Sequence, residues 1–105
     1  RYPASMTAVV MLPDNLQATA SDGDQLAAFI NDECRGVGEK VKVNAKDLYF
    51  VLIRGLAEEQ SKIVFKYYNS KTAYLYQTGP ELNFLIDAIY GTAENPQLLQ
   101  LKPVK

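Results

Sequence analysis

The chain has 105 residues, 48% hydrophobic and 22% charged, with a formal net charge of −1. That length can bury one core, the composition is too ordinary for a disordered chain, and no apolar run approaches the ~18 residues a membrane helix needs. Eleven basic against twelve acidic residues leave no cation surplus for a phosphate backbone; with no histidine and one cysteine, His-dependent triads, most zinc sites and intramolecular disulfides are excluded.

Apolar residues recur with a period of two along most of the chain, which is the mark of strands. The start at Arg1-Tyr2-Pro3, without an initiator Met or a signal segment, reads as a mature or excised module. Over residues 5–12, Met6, Ala8, Val10 and Leu12 share one face, and Pro13-Asp14-Asn15 breaks the run. After a turn at Ser21-Asp22-Gly23-Asp24, Leu26, Ala28 and Ile30 alternate with Ala27 and Phe29. A short helix over residues 24–29, capped by Asp22 or Asp24, is the competing reading there. Arg35-Gly36-Val37-Gly38 and Arg54-Gly55 read as turns or bulges in which glycine supplies a positive φ.

At residues 48–53, Leu48, Phe50 and Leu52 alternate with Tyr49, Val51 and Ile53, so both faces are apolar, the mark of a central strand covered on both sides or of one whose outer face meets a neighbour. Residues 55–62 are polar without helical spacing and read as a loop. Ile63, Phe65 and Tyr67 then alternate with Lys62, Val64, Lys66 and Tyr68, and Asn69-Ser70-Lys71 turns the chain into residues 72–77 as a hairpin. Leu82, Phe84 and Ile86 begin another alternating run. Gly91-Thr92 and Pro96 precede a last strand over residues 98–102, with Leu99 and Leu101 inward. The pattern predicts an all-β fold, a sandwich of about seven to eight mostly antiparallel strands, as one domain over residues 1–105.

Few residues offer chemistry. A nucleophilic thiol needs a base or cation beside it, and only Arg35 or a lysine is available to Cys34. Neighbouring strand residues point to opposite faces, so Arg35 is not expected to face the sulfur, and Cys34 reads as a buried structural cysteine. A small Cys-dependent enzyme is the alternative. Asp22, Asp24, Asp32 and Glu33 read as solvated turn residues rather than calcium ligands, because their spacing matches no EF-hand loop. No carboxylate pair stands out for glycoside hydrolysis. The expectation is a non-enzyme with no cofactor, no metal and no nucleic-acid partner.

Tyrosine is the distinctive residue, with seven copies against no tryptophan. Tyr68 is expected to face outward, and Tyr74 and Tyr76 share a face that is outward if Ala73 and Leu75 pack inside. Tyr68, Tyr74 and Tyr76 form the candidate binding row, able to stack on a glycan or anchor a protein partner. The alternative is that such aromatic pairs simply stabilise the sheet, each by ~0.2–1 kcal/mol.

The order Asp24-Gln25-Leu26-Ala27-Ala28-Phe29, then Glu33-Cys34-Arg35-Gly36, then Phe65-Lys66-x-Tyr68, with Tyr90-Gly91-Thr92 and Pro96 following, resembles a small Ig-like module of secreted and cell-surface proteins of Bacteroidetes. The match covers about residues 5–99. The resemblance implies an Ig-like β-sandwich in an exported, lipoprotein-like or surface-attached protein of the outer membrane, joined to other domains of its parent chain. It implies a non-catalytic spacer, adhesion or glycan-binding role, or a strand-exchanging, fimbria-like assembly subunit. It also implies that Asp24, Phe29, Glu33, Cys34, Arg35 and Gly36 serve the fold, and one expectation is that Arg35 pairs with Glu33 or with an acid across the sheet.

Overall fold

A computed structural model describes residues 2–80 and 82–104. In chain order they form β1 (Ala4–Met11), a single helical turn α1 (Asp14–Gln17), β2 (Gln25–Ile30), β3 (Glu33–Val43), β4 (Lys46–Gly55), β5 (Ile63–Asn69), β6 (Tyr74–Gln77), β7 (Ile89–Tyr90), β8 (Gln97–Leu98) and β9 (Lys102–Pro103). The fold is all-β. Its strands join in one continuous, curled mixed sheet in the order β7-β1-β4-β3-β2-β5-β6-β9, with β8 also on β1. All pairings are antiparallel except those of β7 and β8, which run parallel to β1.

The curl depends on β3. Its first residues pair with β2 from Glu33 to Val37, and from Gly38 onward it pairs with β4. A strand that changes partner midway must bend, and a β-bulge supplies the bend. Phe29 lies opposite Cys34 and Ala28 opposite Gly36, leaving Arg35 as the extra residue. None of Gly36, Gly38 and Gly55 has a positive φ, contrary to the turn reading of these segments; Gly91 is the glycine that does, among the described residues. Gly36 is required by crowding instead: a Cβ there would stand 2.3 Å from the carbonyl oxygen of Leu52.

Two hairpins carry the chain into and out of this corner strand. Asn31-Asp32 (φ 52° and 64°) joins β2 to β3, and Asn44-Ala45 (φ 52° and 67°) joins β3 to β4. Positive φ at both central residues suits the right-handed twist of the flanking strands. Without the usual glycine, the second turn left no clear mark in the sequence, and β3 beyond Gly38 was not foreseen.

Inward residues from both halves of the curl meet in one core. Met6, Ala8, Val10, Tyr49, Val51 and Ile53 come from β1 and β4, and Leu26, Ala28, Ile30, Ile63, Phe65 and Tyr67 from β2 and β5. The Tyr49 and Tyr67 rings meet edge-on, 6.3 Å apart between centroids. The residues that the period-two alternation groups on one face in β1, β2 and β5 are the inward ones. In β4 the structure selects Tyr49, Val51 and Ile53 from two apolar faces, and residues 25–29 are extended rather than helical.

The last quarter of the chain departs from expectation. The run at 82–86 is not a strand: Leu82 makes one bridge to Ile63, Phe84 plugs the core, and Leu85 and Ile86 are exposed. Asp87, at φ 61°, turns the chain so that its N–H bonds to the carbonyl of Ser5. The expected strand at 98–102 is split. Leu98 ends β8 on the β1 edge, Leu99 enters the core, and Lys102 begins β9 on the β6 edge. Residues 82–104 thus act as a strap across the open side of the curl.

Candidate functional site

The residues expected to bind do not form one row. Tyr68 points outward and is 38% exposed. Tyr76 lies opposite Tyr67, which is fully inward, so Tyr76 packs against the core instead of facing solvent. Tyr74 shares its side, with ring centroids 6.3 Å apart, and is exposed only because it ends the strand. The condition for an outward Tyr74–Tyr76 face, Leu75 packed inside, is not met: Leu75 lies opposite Tyr68 on the outer face. Register decides this: Tyr67 opposite Tyr76 sets the parity of the whole hairpin.

Cys34 also corrects its expectation, for it is exposed. The inward face of β2 belongs to Leu26, Ala28 and Ile30, so Phe29 and the Cys34 opposite it face solvent. The thiol makes only a weak contact to the Gly36 carbonyl, at 3.8 Å. Arg35 turns away from it. Its guanidinium meets Glu33 Oε1 at 2.8 Å and Glu59 Oε2 at 2.5 Å, bonds the Arg54 carbonyl at 3.3 Å and lies 4.1 Å over the Tyr2 ring. Burial disfavours the Arg35 charge, but the hydrogen bonds to Glu59 and Glu33 outweigh it and raise its pKa. Arg35 thereby ties the 56–62 loop to the bulge; Glu59 also accepts the N–H of Leu56.

Asp24 is not a solvated turn residue. It is buried, and its carboxylate accepts from Ser21 N and Oγ, Ser70 N and Oγ and the Tyr67 hydroxyl, the last at 2.5 Å. Burial pushes its pKa up, yet the hydrogen bonds from Tyr67, Ser70 and Ser21 win and hold it below the usual value. The loss of water, and then the same carboxylate, push the Tyr67 hydroxyl far up. Asp22 is fully exposed and pairs loosely with Lys40 at 3.7 Å, and Asp32 lies exposed in the first hairpin turn. No three acidic or thiol groups among the described residues converge as metal ligands.

What the fold does assemble is the outer face of β3, β2, β5 and β6, in three cross-strand rows. One runs Cys34–Phe29–Val64; the next runs Val37–Ala27–Lys66–Gln77–Lys102; the third runs Gln25–Tyr68–Leu75. Between them lies a depression of about 370 Å³ bordered by Phe29, Cys34, Val37, Lys66, Tyr68 and Leu75. Val37 is 70% exposed and Leu75 37%. The Lys66 ammonium sits 4.6 Å over the Phe29 ring. A neighbouring hollow of about 510 Å³ continues along β5 past Val64 and Lys62 to Pro80. A second cleft of about 510 Å³ opens where the strap crosses Ile63, Phe65 and Leu82, over the mouth of the core. Sequence reasoning found Tyr68 and missed Val37 and Leu75; only the pairing register puts these three on one surface.

Comparison of the chain with protein-family models, with curated proteins and with solved structures finds no match.

Proposed function

We propose that this chain is a non-catalytic accessory module of an exported or surface-attached bacterial protein, and that it works by docking a protein partner on the outer face of β3, β2, β5 and β6. The observation that carries the reading is the exposed apolar surface formed there by Val37, Tyr68 and Leu75 around a shared depression. Covering such a surface yields ~25 cal/mol per Å² of apolar area. The Bacteroidetes-like order of segments supports the exported setting. A protein fits the face better than a glycan: Tyr68 is the one tyrosine of the expected row on this surface, and the Phe29 ring is capped by Lys66.

A photo-crosslinking residue at Val37, in the parent protein on the cell surface, is expected to form adducts with protein that a Leu75→Asp change removes. The same probe at Thr92, away from the face, is expected to form none of them, and a glycan array is expected to stay flat. Polysaccharide binding abolished by Tyr68→Ala would overturn the choice of a protein partner. Equal adducts from both positions would overturn the choice of face.

A second reading, strand exchange between subunits, draws on the edge of β1, which is paired to the two-residue strands β7 and β8 and bonded by the backbone of Asp87, Ala88 and Leu99 rather than by a long strand. Light scattering that rises with concentration and is lost when the strap is cross-linked to β1 would favour it.

A further inference from the structure

We infer that the segment taken by this face is acidic as well as apolar: a stretch of a partner protein in which hydrophobic side chains alternate with Asp or Glu. The inference rests on the docking reading above and adds the charge of the occupant. Lys66 stands in the middle row of the face, between Ala27 and Gln77, and Lys102 lies at the end of the same row. Lys62, just before β5, extends the cationic line, since it borders the same hollow as Val64 and Lys66. Among the described residues none of these three lysines is in an ion pair, whereas Arg35, Lys40, Lys42 and Lys46 each have an acidic partner.

The three rows contain no Asp or Glu. Asp32 borders the far hollow beside Lys62, and the exposed Glu39, two residues past Val37 on the same side of β3, stands at the β3 edge of the face, away from Lys66 and Lys102. A partner that covered the apolar depression with neutral side chains would strip water from Lys66 and return nothing, and the burial of an uncompensated charge is costly. A carboxylate placed over Lys66 removes that penalty, and Lys102 and Lys62 favour further acids to either side. A second copy of the chain fits poorly, because the same face would bring a second set of lysines and no acid from the three rows to pair with them.

The test uses three fluorescent peptides of equal length with the same leucine and phenylalanine positions, alternating with glutamate, lysine or serine. Anisotropy is expected to show the glutamate peptide binding at least about tenfold more tightly than the lysine peptide, the scale of a charge-assisted contact. Added salt is expected to weaken it. Lys66→Glu and, separately, Lys102→Glu are expected to remove the preference, and Lys66→Arg to keep it, with thermal melts confirming that each variant is folded. Equal binding of all three peptides, lost in Tyr68→Ala, would leave the face as a docking site and overturn the acidic occupant. No Tyr68-dependent binding of any peptide would overturn both. Sedimentation showing a dimer that Leu75→Asp dissolves would replace the acidic segment by a second copy.

Discussion

At the scale of single residues, two polar side chains do structural work that their sequence context disguised. Arg35 occupies the bulge and is held by Glu59, and both side chains are only 7% exposed. Removing one member of such a pair leaves the other charge desolvated, so Arg35→Ala is expected to cost about 3 kcal/mol, the low end for a buried pair because Glu33 lies at the surface. In a domain of this size that lowers the thermal midpoint by more than about 10 °C; an unchanged melt would show that the cluster does not hold the loop. Asp24 makes a different prediction, in pH. Its pKa is depressed in the folded state, so its contribution is fully present above the unfolded value of ~3.9 and disappears as pH falls through the lower folded value. Urea midpoints measured from pH ~6 down to ~3 should fall on the acid side for the wild type and fall less steeply for Asp24→Asn. Parallel curves for the two proteins would assign the acid sensitivity elsewhere. The acid-turn pattern Ser21-Asp22-Gly23-Asp24 was legible, but the three donors that Tyr67 and Ser70 bring to Asp24 were not, since those residues lie more than forty positions away.

At the scale of elements, β3 is the part the sequence disclosed least. Glu33–Val43 alternates poorly, with glycines at 36 and 38 where an apolar residue would mark the inner face. Both glycines sit where strands crowd at the corner: a Cβ at Gly38 would lie 3.1 Å from the Leu26 side chain and 3.2 Å from the Tyr49 ring. Gly36 is the stricter case, because its neighbour is backbone and cannot rotate away. Gly36→Ala is expected to destabilise by roughly 1–3 kcal/mol, the cost of forcing extra volume into packed surroundings, read as a lower denaturant midpoint at unchanged slope. A neutral result would mean that β3 and β4 separate at the corner without penalty. β4, by contrast, was read as a central strand covered on both sides or as one whose outer face meets a neighbour; it is central in the sheet, but its outer face is covered only in part, with Leu52 46% exposed. It pairs with β1 and β3, and Leu48, on its outer face, is buried.

At the scale of the whole molecule, the curl and the strap decide which surfaces remain open. Once β3 hands the sheet from β2 to β4, the inner faces of both halves close on each other, and residues 82–104 seal the gap with Phe84 and Leu99. The outer face of β2, β5 and β6 is left without a layer of its own, and so a module with no obvious chemical motif still presents an apolar, cationic surface. Alternation of apolar residues settled the all-β character and grouped the core residues of β1, β2 and β5 on one face each, because side chains in a strand point to opposite sides in turn whatever the strand pairs with; in β4, apolar on both faces, it did not choose the inward one. The sequence did not settle which of Tyr74, Leu75 and Tyr76 met water, whether Cys34 was covered, or which three strands brought Val37 beside Tyr68. Those depend on register and on the bulge at Arg35, and a shift of one residue reverses every side chain that follows; only long-range pairing sets them.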